Sequence, residues 1–249
     1  MNAPHAGSAL AVVVPAHNEA EDLPAALAAV RRAAGHPELI GLPMAMVVVA
    51  DACDDATAAV AARWGAAVVE VRSHNVGAAR AAGVAHALAL LGRAGDGAWI
   101  ATTDADTLVP PQWLAHQLHL ARQGWHCVVG TVRLRHSPDL PARAVARVQA
   151  HYFASRPVPS LTWWHPHVHG ANLGVDAASY GAVGGFPALT HSEDHALVAG
   201  LDRLGCRILR TDACPVRTSA RLVSRAPYGF SAALQRLAQA PGPLRRRRA

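Results

Sequence analysis

Through the first half of the chain, short valine-rich runs alternate with stretches whose apolar residues recur at helical spacing. Residues 10–14 form one such run, closed by Pro15, as expected of a strand buried on both faces. Residues 21–34 follow, with Leu23, Leu27 and Val30 on one helical face. The alternation continues with strands expected at 45–50, 67–71 and 98–102 and helices at 55–64, 76–91 and 110–122. Asp54 or Asp55 can cap the second helix, and a proline near the start of the last costs nothing, because the first helical N–H groups have no intrahelical partner. Strands and helices joined by short connections imply a mostly parallel sheet flanked by helices, an α/β fold. Right-handed crossovers bring the C-terminal end of every such strand to one edge, where open α/β sheets bind ligands. The polar residues gather there: His17, Asn18 and Glu19 after the first strand, Asp51 at the end of the second, Asp104 and Asp106 after the fourth.

The second half is less regular. Strands are expected at 127–134, 172–175 and 206–209, helices at 141–153 and 193–204, and a helical turn at 176–180. Residues 157–169 are rich in Pro, Trp and His and read as a structured loop. Residues 241–249, a Pro/Gly break followed by arginines, read as a basic flexible tail.

Composition narrows the function classes. Hydrophobic residues make up 51% of the 249 and charged residues 16%, which supports a sizeable core and excludes global disorder. The net charge of +6 suits anionic partners, but much of it sits in Arg245–Arg248. No basic–aromatic cluster of the kind that stacks bases is present, so nucleic acid is not an expected partner. Cys53, Cys127, Cys206 and Cys214 form no CxxC pair, which argues for reduced thiols. Residues 1–8 lack the features of a secretory signal, and no run reaches about 18 apolar residues. A cytoplasmic protein is expected.

Several groups can carry chemistry. Asp104 and Asp106, one residue apart at a strand end, can meet one magnesium or manganese ion, or they can simply shape a turn. Asp51 can accept hydrogen bonds from a base or ribose, or cap a helix. Asn75 and Gly77 open a helix that can attract phosphate, with Arg80 in reach of a diphosphate or base; plain capping by Asn75 is the alternative. Glu193 and Asp194 begin another helix, where one can act as general base and its neighbour orient an acceptor, or both can serve the helix dipole. His165, His167 and His169 alternate on one side of an extended segment after Trp163 and Trp164. They suit acceptor binding or wall packing, with a zinc site as a third reading.

These residues resemble a known family. Val12-Val13-Val14-Pro15-Ala16-His17-Asn18-Glu19 is similar to the opening of inverting glycosyltransferase family 2 enzymes of the GT-A fold. In order follow Asp51-Ala52-Cys53-Asp54-Asp55-Ala56-Thr57, Asn75-Val76-Gly77-Ala78-Ala79-Arg80, Asp104-Ala105-Asp106, Gly170-Ala171-Asn172, Gly184-Gly185-Phe186 and Glu193-Asp194. Each motif alone is common, but the ordered set is specific.

The resemblance implies a single GT-A domain over 1–240, with a nucleotide-binding half at about 9–125 and an acceptor half at about 126–240. It implies that Pro15, Ala16, Asn18, Glu19, Asp51, Arg80 and Asp104 bind a nucleotide diphosphate sugar. Asp104 and Asp106 would hold the Mg2+ or Mn2+ ion. Asp194 would be the catalytic base, with His169, Asn172 and Glu193 on the acceptor side. The implied reaction moves one sugar to an acceptor hydroxyl with inversion.

Ala50 stands where the family usually has an Asp, and Ala52-Cys53 where it has Gly-Ser. The donor is therefore left as a UDP-sugar in preference, with GDP- and dTDP-sugars open. The Gln-x-x-Arg-Trp motif of processive synthases is absent, which favours a small-molecule or lipid-linked acceptor. The arginine tail can touch an anionic membrane, at roughly 1 kcal/mol per residue near the surface. The competing classes are a nucleotidyltransferase, a histidine-dependent metallohydrolase and a non-catalytic nucleotide-sugar-binding protein.

Overall fold

The computed structural model describes residues 7–135, 142–157 and 163–221. The basic tail at 241–249 lies outside them. One eight-stranded sheet organises the chain, in the order β3-β2-β1-β4-β7-β6-β8-β5. Strands β1 (Ala9–Ala16), β2 (Met44–Asp51), β3 (Ala67–Val71) and β4 (Ala98–Thr102) are mutually parallel. Helices α1 (Leu23–Ala34), α2 (Thr57–Arg63) and α3 (Val76–Leu91) connect them. The order reverses between β1 and β4, so the crevice at their C-terminal ends is a topological switch point.

Beyond β4 come β5 (Thr107–Leu108), α4 (Trp113–Arg122), β6 (Cys127–Leu134), α5 (Ala142–Tyr152), β7 (Leu173–Asp176), α6 (Ala177–Ala182), α7 (Glu193–Arg203) and β8 (Ile208–Thr218). Strand β7 inserts antiparallel between β4 and β6, which runs parallel to β8. This returns the end of β8 to the polar edge, beside β5.

The period of two along β1 divides the core. Leu10, Val12 and Val14 face Leu23, Leu27, Trp113 and Leu118 on one side of the sheet. Ala11 and Val13 face Ala79, Val84, Leu197 and Leu201 on the other. Helix α3 packs close because Gly83 lies against β1: a Cβ there would meet Val13 Cγ1 at 2.5 Å.

The element pattern agrees with the sequence reading within a few residues, with two differences. Strand β5 is too short to carry a periodic signal. Strand β8 runs well past the expected end at 209. Its pairing with β6 shifts register between Gly130 and Val132, skipping from Thr211 to Val216. Pro215 falls in that irregularity, where its missing N–H leaves no gap in the ladder.

Candidate active site

The loop after β1 is tied to the loop after β2. Asn18, at φ 52°, accepts the Asp54 N–H through Oδ1 at 2.9 Å, and Thr57 Oγ1 accepts the Glu19 N–H at 2.8 Å. His17 Nδ1 lies 2.7 Å from the Asp51 carbonyl, so that nitrogen carries the proton and donates. Cys53 packs between these loops, and burial pushes its thiol up, consistent with a packing role.

Asp51 is 5% exposed, and its carboxylate accepts four hydrogen bonds: Ser73 N–H at 2.7 Å, Ser73 Oγ–H at 2.7 Å, His74 N–H at 3.0 Å and Asn75 N–H at 2.9 Å. Burial raises its pKa, but these donors outweigh burial and hold it below the ordinary value. Four acceptances fill a carboxylate. Asp51 therefore shapes the β3–α3 loop, and a base or ribose would find its oxygens occupied. At the start of α3, Asn75 caps the Ala78 N–H at 2.9 Å. A Cβ on Gly77 would meet the Pro187 carbonyl at 2.0 Å, so this glycine admits the 187–189 backbone rather than a phosphate.

Arg80 is 3% exposed and also turns inward. Its Nη2 donates to Asp104 Oδ1 at 2.6 Å, its Nε to Glu193 Oε1 at 2.9 Å and its Nη1 to the Gly170 carbonyl at 3.1 Å. Burial disfavours its charge, but Asp104, Glu193 and Asp194 outweigh that and keep it protonated. Burial raises the Glu193 pKa, with Arg80 opposing. The Gly170 peptide is a junction. Its carbonyl also accepts Thr102 Oγ1–H at 2.6 Å, and its N–H donates to Asp194 Oδ2 at 2.8 Å. The Asp194 carboxylate, half-buried at the start of α7, thus shares its neighbours with Asp104 at the end of β4.

Asp104 keeps 37% of its side chain exposed, while Asp106 keeps 19%. Asp106 Oδ2 accepts Arg221 Nη2–H at 2.8 Å, and Oδ1 accepts Thr218 Oγ1–H at 3.2 Å. Burial and the Asp104 charge raise its pKa, and Arg221 opposes them. Among the described residues no group of three or more His, Cys, Asp or Glu is gathered around a point where a metal could sit. Two carboxylates beside a threonine hydroxyl are nonetheless hard oxygen donors, and magnesium and manganese take few protein ligands, so the pair fits such an ion.

The histidines form a wall. His165, His167 and His169 stack at successive centroid distances of 6.0 and 6.2 Å, and Tyr152 stacks on His167 at 3.8 Å. His165 Nε2 faces the Val129 carbonyl at 3.0 Å, and His167 Nε2 faces the Tyr152 carbonyl at 2.9 Å. Nitrogens facing carbonyls donate to them, and among the described residues these rings form no group of three or more that could hold a metal ion. His169 Nε2 lies 3.1 Å from the Tyr152 hydroxyl. Burial lowers its pKa to about 4 despite the nearby Asp194 charge, so its ring is neutral near pH 7.

Comparison with known proteins decides the family. The model of glycosyl transferase family 2 matches residues 11–184, more than half of the chain. The chain belongs to glycosyl transferase family 2. Its fold is similar to that of S. aureus TarS 1–349 in complex with UDP, at 16% identity and a TM-score of 0.61, covering 92% of this chain and 64% of that one. It is also similar to the mannosyltransferase PcManGT from Pyrobaculum calidifontis in complex with GDP-Man and Mn2+, at 21% identity and a TM-score of 0.58, covering 85% of this chain and 57% of that one. The chain thus spans less than two thirds of the length of each. No curated protein matches it in sequence. At these identities the likeness establishes the GT-A fold.

In this family 2 domain, Pro15, Ala16, Asn18, Glu19, Asp104, Asp106 and Asp194 lie along the switch-point edge or are joined to it by the Arg80–Gly170 junction. Four residues expected to bind donor or acceptor have polar groups engaged within the protein. Arg80 is engaged by Asp104, Glu193 and the Gly170 carbonyl, and Asp51 by the 73–75 loop. Asn172, 3% exposed, accepts Trp113 Nε1–H at 2.9 Å and donates to the Thr131 and Cys214 carbonyls at 2.9 and 3.0 Å. Its amide binds three parts of the fold together. Glu193, 4% exposed, serves Arg80. Sequence reading missed Arg221, Asp22 and Tyr152. A β8 carried on to Thr218 would have placed Arg221 beside Asp106.

Among the described residues no helix is long and apolar enough to cross a membrane.

Proposed function

We propose that the chain transfers one sugar from a nucleotide diphosphate sugar to an acceptor hydroxyl with inversion at the anomeric carbon. The observation that carries this reading is the convergence of Asp194 and Asp104 on Arg80 and the Gly170 peptide. A base on the acceptor side and a carboxylate on the donor side are thereby held by one rigid junction. The 15–19 loop and Asp104 line the donor side, in a nucleotide-binding half at about 9–125. Asp194 and the histidine wall line the acceptor side, in a half at about 126–240. Asp194 takes the proton of the acceptor hydroxyl as its oxygen bonds to the anomeric carbon. The bond from that carbon to the diphosphate oxygen breaks on the opposite face, and the electron pair leaves with the nucleoside diphosphate. Backbone N–H groups of Gly170 and His195, at 2.8 and 2.7 Å, hold the carboxylate in place. A carboxylate with about four acceptor positions retains capacity for the proton. Asp104 and Asp106 would hold a magnesium or manganese ion, which would supply positive charge beside the diphosphate.

A UDP-sugar is the favoured donor, with GDP- and dTDP-sugars as alternatives. The acceptor is a small or lipid-linked molecule, met in the cytoplasm or at the inner face of the membrane. Asp194→Asn keeps an oxygen for the Gly170 N–H but cannot take a proton. The expected outcome is a fall in kcat of about 10²–10⁴-fold with nucleotide affinity unchanged. Wild-type kcat in this variant would refute the assignment of the base.

A further inference from the structure

Arg221 joins three carboxylates that lie apart in sequence. Its Nη1 donates to Glu19 Oε2 at 3.0 Å and its Nη2 to Glu19 Oε1 at 2.8 Å, a two-pronged pairing with the loop after β1. Nη2 also reaches Asp106 Oδ2 at 2.8 Å, and Nη1 lies 3.2 Å from Asp22 Oδ2. Arg135 lies 3.2 Å from the other Asp22 oxygen. Burial disfavours the Arg221 charge, but Glu19 and Asp106 more than compensate, so it remains a cation. A guanidinium donating to a carboxylate oxygen occupies the position from which a divalent ion would coordinate that oxygen, and two cations repel at such range. The side chain is 24% exposed and lies three residues past the end of β8.

We propose that Arg221 is the resident cation of the Asp106 site and that a divalent ion binds there by displacing it. The inference rests on the reading of Asp104 and Asp106 as the metal carboxylates. It adds that metal affinity is set by an intramolecular competitor. Arg221 balances the charge of Asp106 and Glu19 when metal is scarce, and binding of the ion releases its Nη2 from Asp106.

The test is titration of the full chain with Mn2+, without nucleotide, reading free Mn2+ by electron paramagnetic resonance. Arg221→Gln keeps much of the bulk and removes the charge, and is expected to bind Mn2+ at least about tenfold tighter than wild type, because an adjacent cation is gone. Arg221→Lys, which keeps the charge, is expected to stay near wild type. Asp106→Asn combined with Arg221→Gln is expected to lose the gain, which places it at Asp106. Equal or weaker Mn2+ binding by Arg221→Gln overturns the proposal, as does absence of binding in both proteins. Should Arg221→Gln fail to fold, the Nε–Hε resonance of Arg221 in the wild-type chain decides. A shift that tracks Mg2+ occupancy supports displacement, and an unmoved resonance overturns it. Failure of the transfer reading would show separately, as absence of nucleoside diphosphate binding, while the manganese arms still decide the competition.

Discussion

Asp104 and Asp106 are separated by one residue and each is paired with an arginine, yet the two pairs are built differently. Arg80 comes from inside α3, is 4% exposed in its side chain, and is committed to Asp104, Glu193 and the Gly170 carbonyl. Arg221 lies three residues past β8, is 24% exposed in its side chain, and meets the carboxylates of Glu19, Asp22 and Asp106. The first pair is architecture: removing one member strands charge in the interior. The second is partly open to solvent, and its exchange for an ion is the proposal made above. The DxD segment therefore pairs one carboxylate with a buried arginine and the other with a partly exposed one.

The largest effect that sharpens this contrast is on stability. Arg80→Met leaves Glu193 buried beside an unpaired Asp104 and is expected to cost about 3–5 kcal/mol, whereas Arg221→Gln costs about 1 kcal/mol. Urea unfolding of both variants measures the difference, and equal losses would break the comparison. Next in size is Gly170→Ala, whose Cβ would meet Arg80 Cζ at 2.5 Å. Displacing the guanidinium is expected to cost about 1–3 kcal/mol and to lower kcat more than it weakens nucleotide binding. A variant with unaltered kcat would show that the junction does not position Asp194.

A pH effect of smaller size tests the histidine wall. The folded-state pKa of His169, about 4, lies below its ordinary value of 6.5. The unfolded chain therefore takes up a proton first as pH falls, and the stability contributed above pH 6.5 is lost progressively toward pH 4. His165 and His167 are shifted in the same direction, chiefly by burial. His169→Gln should make the decline of the urea midpoint over that window shallower, and an unchanged slope would contradict the burial argument. The smallest effect concerns Ala52, held at φ 52° where a glycine carries no strain. Ala52→Gly is expected to gain about 0.5 kcal/mol, the relief of left-handed strain less the added freedom of the unfolded chain.

The parallel half of the fold was legible because its strands write themselves as short apolar runs, valine-rich and largely buried in β1 and β2. Strands β3 and β4 and helix α3 fall where periodicity alone puts them. Strand β8 was cut short because Asp212 and Pro215 interrupt its pattern, and the polar segment 210–218 lacks an apolar run. That truncation hid Arg221. The edge on which the site lies was legible, but the direction of side chains along it was not. Asp51, Arg80 and Asn172 are polar residues at ligand-binding positions, yet each is turned inward by partners distant in sequence: the 73–75 loop, Glu193 and Trp113. Spacing marks where a polar group sits, while only the packed structure shows which of its hydrogen bonds are already made.

The central claim is that the β1–β4 edge binds the donor nucleotide. Calorimetric titration of the full chain with UDP, GDP and dTDP, with and without manganese, tests it most directly. One of the three is expected to bind, more tightly with manganese, and Asp104→Asn is expected to remove that enhancement. Failure of all three to bind in either condition would contradict the account.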